Sequence, residues 1–151
     1  MYEVLVYLSV VSAAMLVGLM TTLLTVLRPI WAQQPEDAAA RSFQTFLRFA
    51  TPNPILLLLS FIPVISAIII AFLDAPGTGE YVSALVGGGV FFVGYFACTA
   101  LVNTPIYKIV MTWDPETSPE AVTPLLQRFH KVNLIRLAAT VATTILFFAA
   151  A

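Results

Sequence analysis

Residues 129–136 read Phe-His-Lys-Val-Asn-Leu-Ile-Arg, and the chain then turns almost purely apolar to its end. His130, Asn133 and Arg136 are the groups here able to do chemistry. On a helix they fall at about 0°, −60° and −120°, a slanting stripe with Arg136 roughly 9 Å beyond His130. Asn103, just before Thr104-Pro105, is a fourth candidate if its helix neighbours theirs. A neutral imidazole, two amides and a fixed positive charge beside an apolar cleft can remove a proton from a weakly acidic carbon. The same set can hold the enolate that results. Each residue also has a plainer reading: Arg136 could snorkel to headgroups, His130 sit at an interface and Asn103 cap a helix end. Convergence of all four at one bundle end favours a site, because intramembrane polar groups are costly.

Other chemistries lack their residues. A metal site is not expected, since zinc takes three or four His, Cys or carboxylate ligands and the chain has one His and one Cys. Haem would find a single His, with Met15, Met20 and Met111 as scattered second ligands. The carboxylates stand near segment ends or in connections: Glu3, Asp74 and Glu80 on one side, Glu36, Asp37, Asp114, Glu116 and Glu120 on the other. No proton relay or ion pump is expected from that distribution. Gly87-Gly88-Gly89 lies inside a spanning segment, where it serves packing rather than phosphate binding. No cofactor is expected. The net charge of −1 leaves no footprint for nucleic acid.

The elements that position these groups follow from composition. Of 151 residues, 60% are hydrophobic and 10% charged, with a mean hydropathy of +0.93. Soluble domains carry about 25% charged residues, so lipid is the expected solvent. Four stretches are long enough to cross a bilayer: 2–27, 54–73, 81–102 and 132–150. The expected fold is all-α, a single transmembrane domain over 1–151 forming an integral membrane four-helix bundle. Pro63 should kink the second span without breaking it. The connections 28–53 and 103–131 hold six of the seven basic residues, and Arg136 lies just beyond them. The positive-inside rule therefore puts both connections in the cytoplasm and both termini on the other side. Small residues at four-residue spacing (Ala14, Gly18 and Thr22; Ala84 and Gly88; Gly94 and Cys98; Ala138 and Ala142) are the expected helix contacts.

The two connections resemble each other. One begins Pro29-Ile30-Trp31 and reaches Arg48-Phe49-x-x-x-Asn53; the other begins Pro105-Ile106-Tyr107 and reaches Arg128-Phe129-x-x-x-Asn133. Two parallel helix–loop–helix repeats are the reading this suggests. His130 and Arg136 correspond to Ala50 and Leu56, so only the second unit acquires these polar groups. Asn53-Pro54 and Ser118-Pro119 read as helix starts. Phe43, Phe46, Leu47 and Ala50 give the first connection an amphipathic segment expected to lie in the interface.

The chain resembles the anthrone-oxygenase-like family of small four-helix membrane proteins, many of them of unknown function. The likeness rests on Gly18, Thr22 and Arg28-Pro29, on Asn53-Pro54, on Asn103-Thr104-Pro105, and on Phe129-His130-x-x-Asn133-x-x-Arg136. It implies a cofactor-independent monooxygenase that oxidises the central methylene of a hydrophobic aromatic, an anthrone, with O2. His130 would then take the proton, and Asn103, Asn133 or Arg136 would stabilise the oxyanion. Two other readings stay open. One is a non-catalytic accessory subunit of a larger membrane complex, respiratory or photosynthetic. The other is a carrier or sensor for a hydrophobic ligand.

Overall fold

The computed structural model describes residues 1–73, 78–114 and 122–151. The Ser118-Pro119 helix start and the carboxylates Asp74, Glu116 and Glu120 lie outside them. The described residues form an all-helical bundle of five helices: α1 (Tyr2–Gln33), α2 (Glu36–Ala50), α3 (Pro54–Ala71), α4 (Gly79–Met111) and α5 (Val122–Phe148). All but α2 are long and apolar enough to cross a membrane. They close a ring in which α1 and α4 each pack on both α3 and α5. Their outward faces carry Ile55, Leu58, Val93, Leu134 and Ile145, as contact with lipid demands.

Two helices run on past the expected span ends, and the reason is local. Residues Leu23–Leu27 of α1, and Phe92–Ala97 and Thr99–Asn103 of α4, are π-helical. In each case the last π segment stops just before a residue–proline pair, Arg28-Pro29 or Thr104-Pro105. Proline cannot donate to the preceding turn and its ring crowds that turn's carbonyl. Widening the helix relieves both problems, and Thr104 Oγ1 donates to the carbonyl of Thr99 at 3.0 Å. The two resembling stretches thus share a backbone device as well as a motif.

The units then part. In the first, Thr51–Asn53 interrupt the helix; Asn53 Oδ1 accepts from the amides of Ile55 and Leu56 (3.0 and 3.2 Å) and starts α3. In the second, Leu134 stands where Pro54 would fall, and α5 passes straight through Asn133. Pro63 is accommodated inside an unbroken α3.

The amphipathic segment does not simply rest on lipid. As α2 it folds under the end of the bundle, burying Ala39, Ala40, Phe43 and Leu47 against Trp31, Ile106, Val110, Val122 and Phe129. Gln44, buried on the same face, donates through Nε2 to the carbonyls of Val110 (3.1 Å) and Trp113 (2.9 Å), closing the open end of α4.

The small-residue contacts divide. Gly88 and Gly94 are true points of close approach: a methyl on either would overlap Cβ of Ala67 or Ala139. Ala84 is buried as expected. The α1 stripe of Ala14, Gly18 and Thr22 faces outward instead, and Ser9, Ser12, Ala13 and Leu16 take the inner face. In α5 the inner alanine is Ala139 rather than Ala138, since Ala139 continues the buried face of Val132 and Arg136 at helical spacing.

Candidate functional site

All four polar candidates are inside the protein: Asn103 and Asn133 are 0% exposed, Arg136 5% and His130 8%. The bundle does not gather them on one surface. A cavity of about 680 Å³ opens between α1, α2, α3, α4 and α5 beside the turn at Thr51–Asn53, and of the four only Arg136 lies in its wall.

Arg136 Nη1 donates to Asn133 Oδ1 at 2.7 Å, one turn back on α5. Its Cζ stands 4.2 Å from the centroid of the Tyr95 ring, a cation–π contact from α4. Tyr95 is held from behind, stacked on Phe91 with centroids 4.7 Å apart and with its hydroxyl 3.1 Å from Ser60 Oγ. Among the described residues Arg136 has no carboxylate partner, whereas Arg41 pairs with Asp37 on the exposed side of α2. A buried guanidinium facing an apolar cavity through an aromatic and an amide is a ready seat for an anion.

Tyr107 extends this polar wall. Its phenol is the polar neighbour of both Arg136 and Asn103, yet neither atom of the Asn103 carboxamide completes a hydrogen bond among the described residues. Asn133 Nδ2 and Arg136 Nε are likewise unpaired. The cluster therefore holds more donors than acceptors. Among the described residues no three His, Cys, Asp or Glu side chains come together, so the donor set consists of guanidinium, amides, phenols and hydroxyls.

His130 stands apart. Its ring lies 5.7 Å from Trp31 and 5.5 Å from Phe129, with Nδ1 buried and unpaired. Arg28, also from α1, is close enough to act on it electrostatically. Phe129 is in the cavity wall and His130 is the next residue round the helix, behind it. The reason is geometric. The neighbours of one helix in a ring of four lie about a quarter-turn apart, and the stripe from His130 to Arg136 spans about 120°. One end meets α1 and the other meets α4.

The family model of anthrone oxygenase matches residues 43–146. This chain belongs to the anthrone oxygenase family. The matched stretch contains the turn at Thr51–Asn53, the α4 polar wall and all four candidate residues, while Gly18, Thr22 and Arg28-Pro29 precede it. No curated protein and no solved structure matches the chain.

Tyr95, Ser60 and Gln44 were not expected from the sequence. Tyr95 carried a signal: Tyr95, Thr99, Asn103 and Tyr107 recur every four residues. On an α-helix that spacing drifts about 40° per step. The wider π turns of α4 cancel much of the drift, and Tyr95, Thr99 and Tyr107 all reach the cavity.

Proposed function

We propose that this protein is a cofactor-independent oxygenase that converts the methylene carbon of an anthrone-like hydroxylated aromatic ketone to a carbonyl. The observation that carries the proposal is Arg136, a buried cation with no acidic partner among the described residues, set in the wall of an apolar cavity of drug-like size.

The reaction begins with loss of a methylene proton. The electron pair moves onto the ketone oxygen, and the enolate lies against the Arg136 guanidinium, with Tyr107 as a second donor. Asn133 fixes the guanidinium through its hydrogen bond. His130, the chain's one imidazole, is the proton acceptor in this proposal; a swing of the Phe129 ring is the motion that admits it. The carbanion form reduces O2 directly, and a carbon–oxygen bond forms to give a hydroperoxide. Loss of the second carbon-bound proton with cleavage of the O–O bond expels hydroxide, which leaves as water. Methylene plus O2 becomes carbonyl plus water, and the balance closes without another redox partner.

A second reading, carriage of a hydrophobic aromatic, is favoured by one observation: the imidazole is outside the cavity wall. Oxygen uptake separates the two. Purified protein in nanodiscs, treated with chelator, should consume one O2 per anthrone and yield the quinone, and Arg136→Gln should slow the reaction about 100- to 1,000-fold. Tight anthrone binding with no oxygen uptake would replace catalysis by carriage.

A further inference from the structure

Arg136 is not the only cation on the cavity. Arg48, from the end of α2, and Lys108, from the last turns of α4, also line it, and both side chains are exposed. No Asp or Glu among the described residues does so. The rest of the wall is mostly apolar, with Leu19, Met20, Leu23, Leu56, Leu57 and Phe129. Along α4 the lining runs from Tyr95, beside Arg136, through Thr99 and Tyr107 to Lys108.

We propose that the substrate is an anionic amphiphile: an aromatic body whose enolisable ketone lies at Arg136 and whose carboxylate, or an equally acidic substituent, is read at the mouth by Arg48 and Lys108. The inference rests on the cavity being the substrate site and adds the charge of the substrate. Surface cations near a bilayer commonly face lipid headgroups. These two differ in sharing one apolar cavity with a third, buried cation, so that a single molecule can engage both ends. Arg48 is anchored by the turn that packs Leu47 into the core under the bundle, and Lys108 follows Tyr107 directly. Both cations are thereby fixed to the elements that build the polar wall.

The test uses probes that cannot be oxidised at a methylene. Binding of anthracene-2-carboxylate and of its neutral carboxamide to the full chain is measured by fluorescence, first in phosphatidylcholine nanodiscs. Exposed ion pairs are individually weak, so two of them predict a carboxylate preference of roughly five- to tenfold. The preference should fall to about unity in an Arg48→Gln, Lys108→Gln double variant whose unfolding temperature matches the parent, while carboxamide binding is kept. Equal binding of the two probes by the parent protein would overturn the inference and leave the oxygenase proposal standing. Failure of both probes to bind would overturn the inference and the cavity's role together. A third arm adds phosphatidylglycerol to the nanodiscs. A preference that persists supports a soluble anionic substrate; one that vanishes in the parent assigns the mouth to lipid headgroups and overturns it.

Discussion

Arg136 Nη1 and Asn133 Oδ1 are 2.7 Å apart on consecutive turns of α5, and both residues are buried. A charge so placed is costly unless something offsets it. The amide, the Tyr95 ring and the neighbouring Tyr107 phenol do so only in part, and the guanidinium keeps capacity for an anion on its cavity side. Replacing Arg136 by Gln should lower oxygenase kcat about 100- to 1,000-fold, as expected for loss of one preorganised oxyanion donor. Lys should restore only part of this, since an ammonium cannot serve Asn133 and the Tyr95 face together. Steady-state oxygen uptake measures both.

His130 separates two versions of the chemistry. If it accepts the methylene proton, His130→Gln should cost about 100-fold or more in kcat with little change in anthrone affinity. Phe129→Ala removes the ring between imidazole and cavity, so it should restore no activity to His130→Gln. A His130→Gln protein with full activity would assign His130 to packing against Trp31 alone.

Gln44 is a structural prediction independent of catalysis. Gln44→Leu keeps the size and buries no new polar atom, but strips a donor from the carbonyls of Val110 and Trp113. Destabilisation of about 2 kcal/mol is expected, read as earlier thermal unfolding in detergent. Gln44→Glu should be worse, because a carboxylate cannot donate to either carbonyl.

At Gly94 the test is steric. Gly94→Ala should push α4 from α5 at Ala139 and cost about 1–3 kcal/mol. Gly18→Ala, with open space at its Cβ, should be neutral. Paired thermal melts of the two variants compare them directly.

The sequence made the four rods legible because apolar runs of that length have one use. It made Arg136 legible because a cation beyond the last loop residue is expensive. It could not show which way α1 faces. Ala14, Gly18 and Thr22 form a helix-contact pattern, but Ser9, Ser12 and Ala13 are as small and lie on the other face. The prolines at 29 and 105 announced a lost donor, not that the helix would widen in π turns to absorb it. That widening aligns Tyr95 with Tyr107, so half of the polar wall stayed hidden in what reads as an ordinary spanning segment. The His130–Arg136 stripe was visible, and only the packing order of the ring decides that its two ends meet different helices.

In the proposed reaction every later step depends on Arg136 stabilising a bound enolate. An anthrone held by the protein under nitrogen, with no oxygen to consume it, can be titrated by its absorption spectrum. A cation against the oxyanion favours the ionised form, so the enolate spectrum should emerge at lower pH in the parent protein than in Arg136→Gln. Titration curves that coincide in the two proteins, with the anthrone bound in both, would contradict the account.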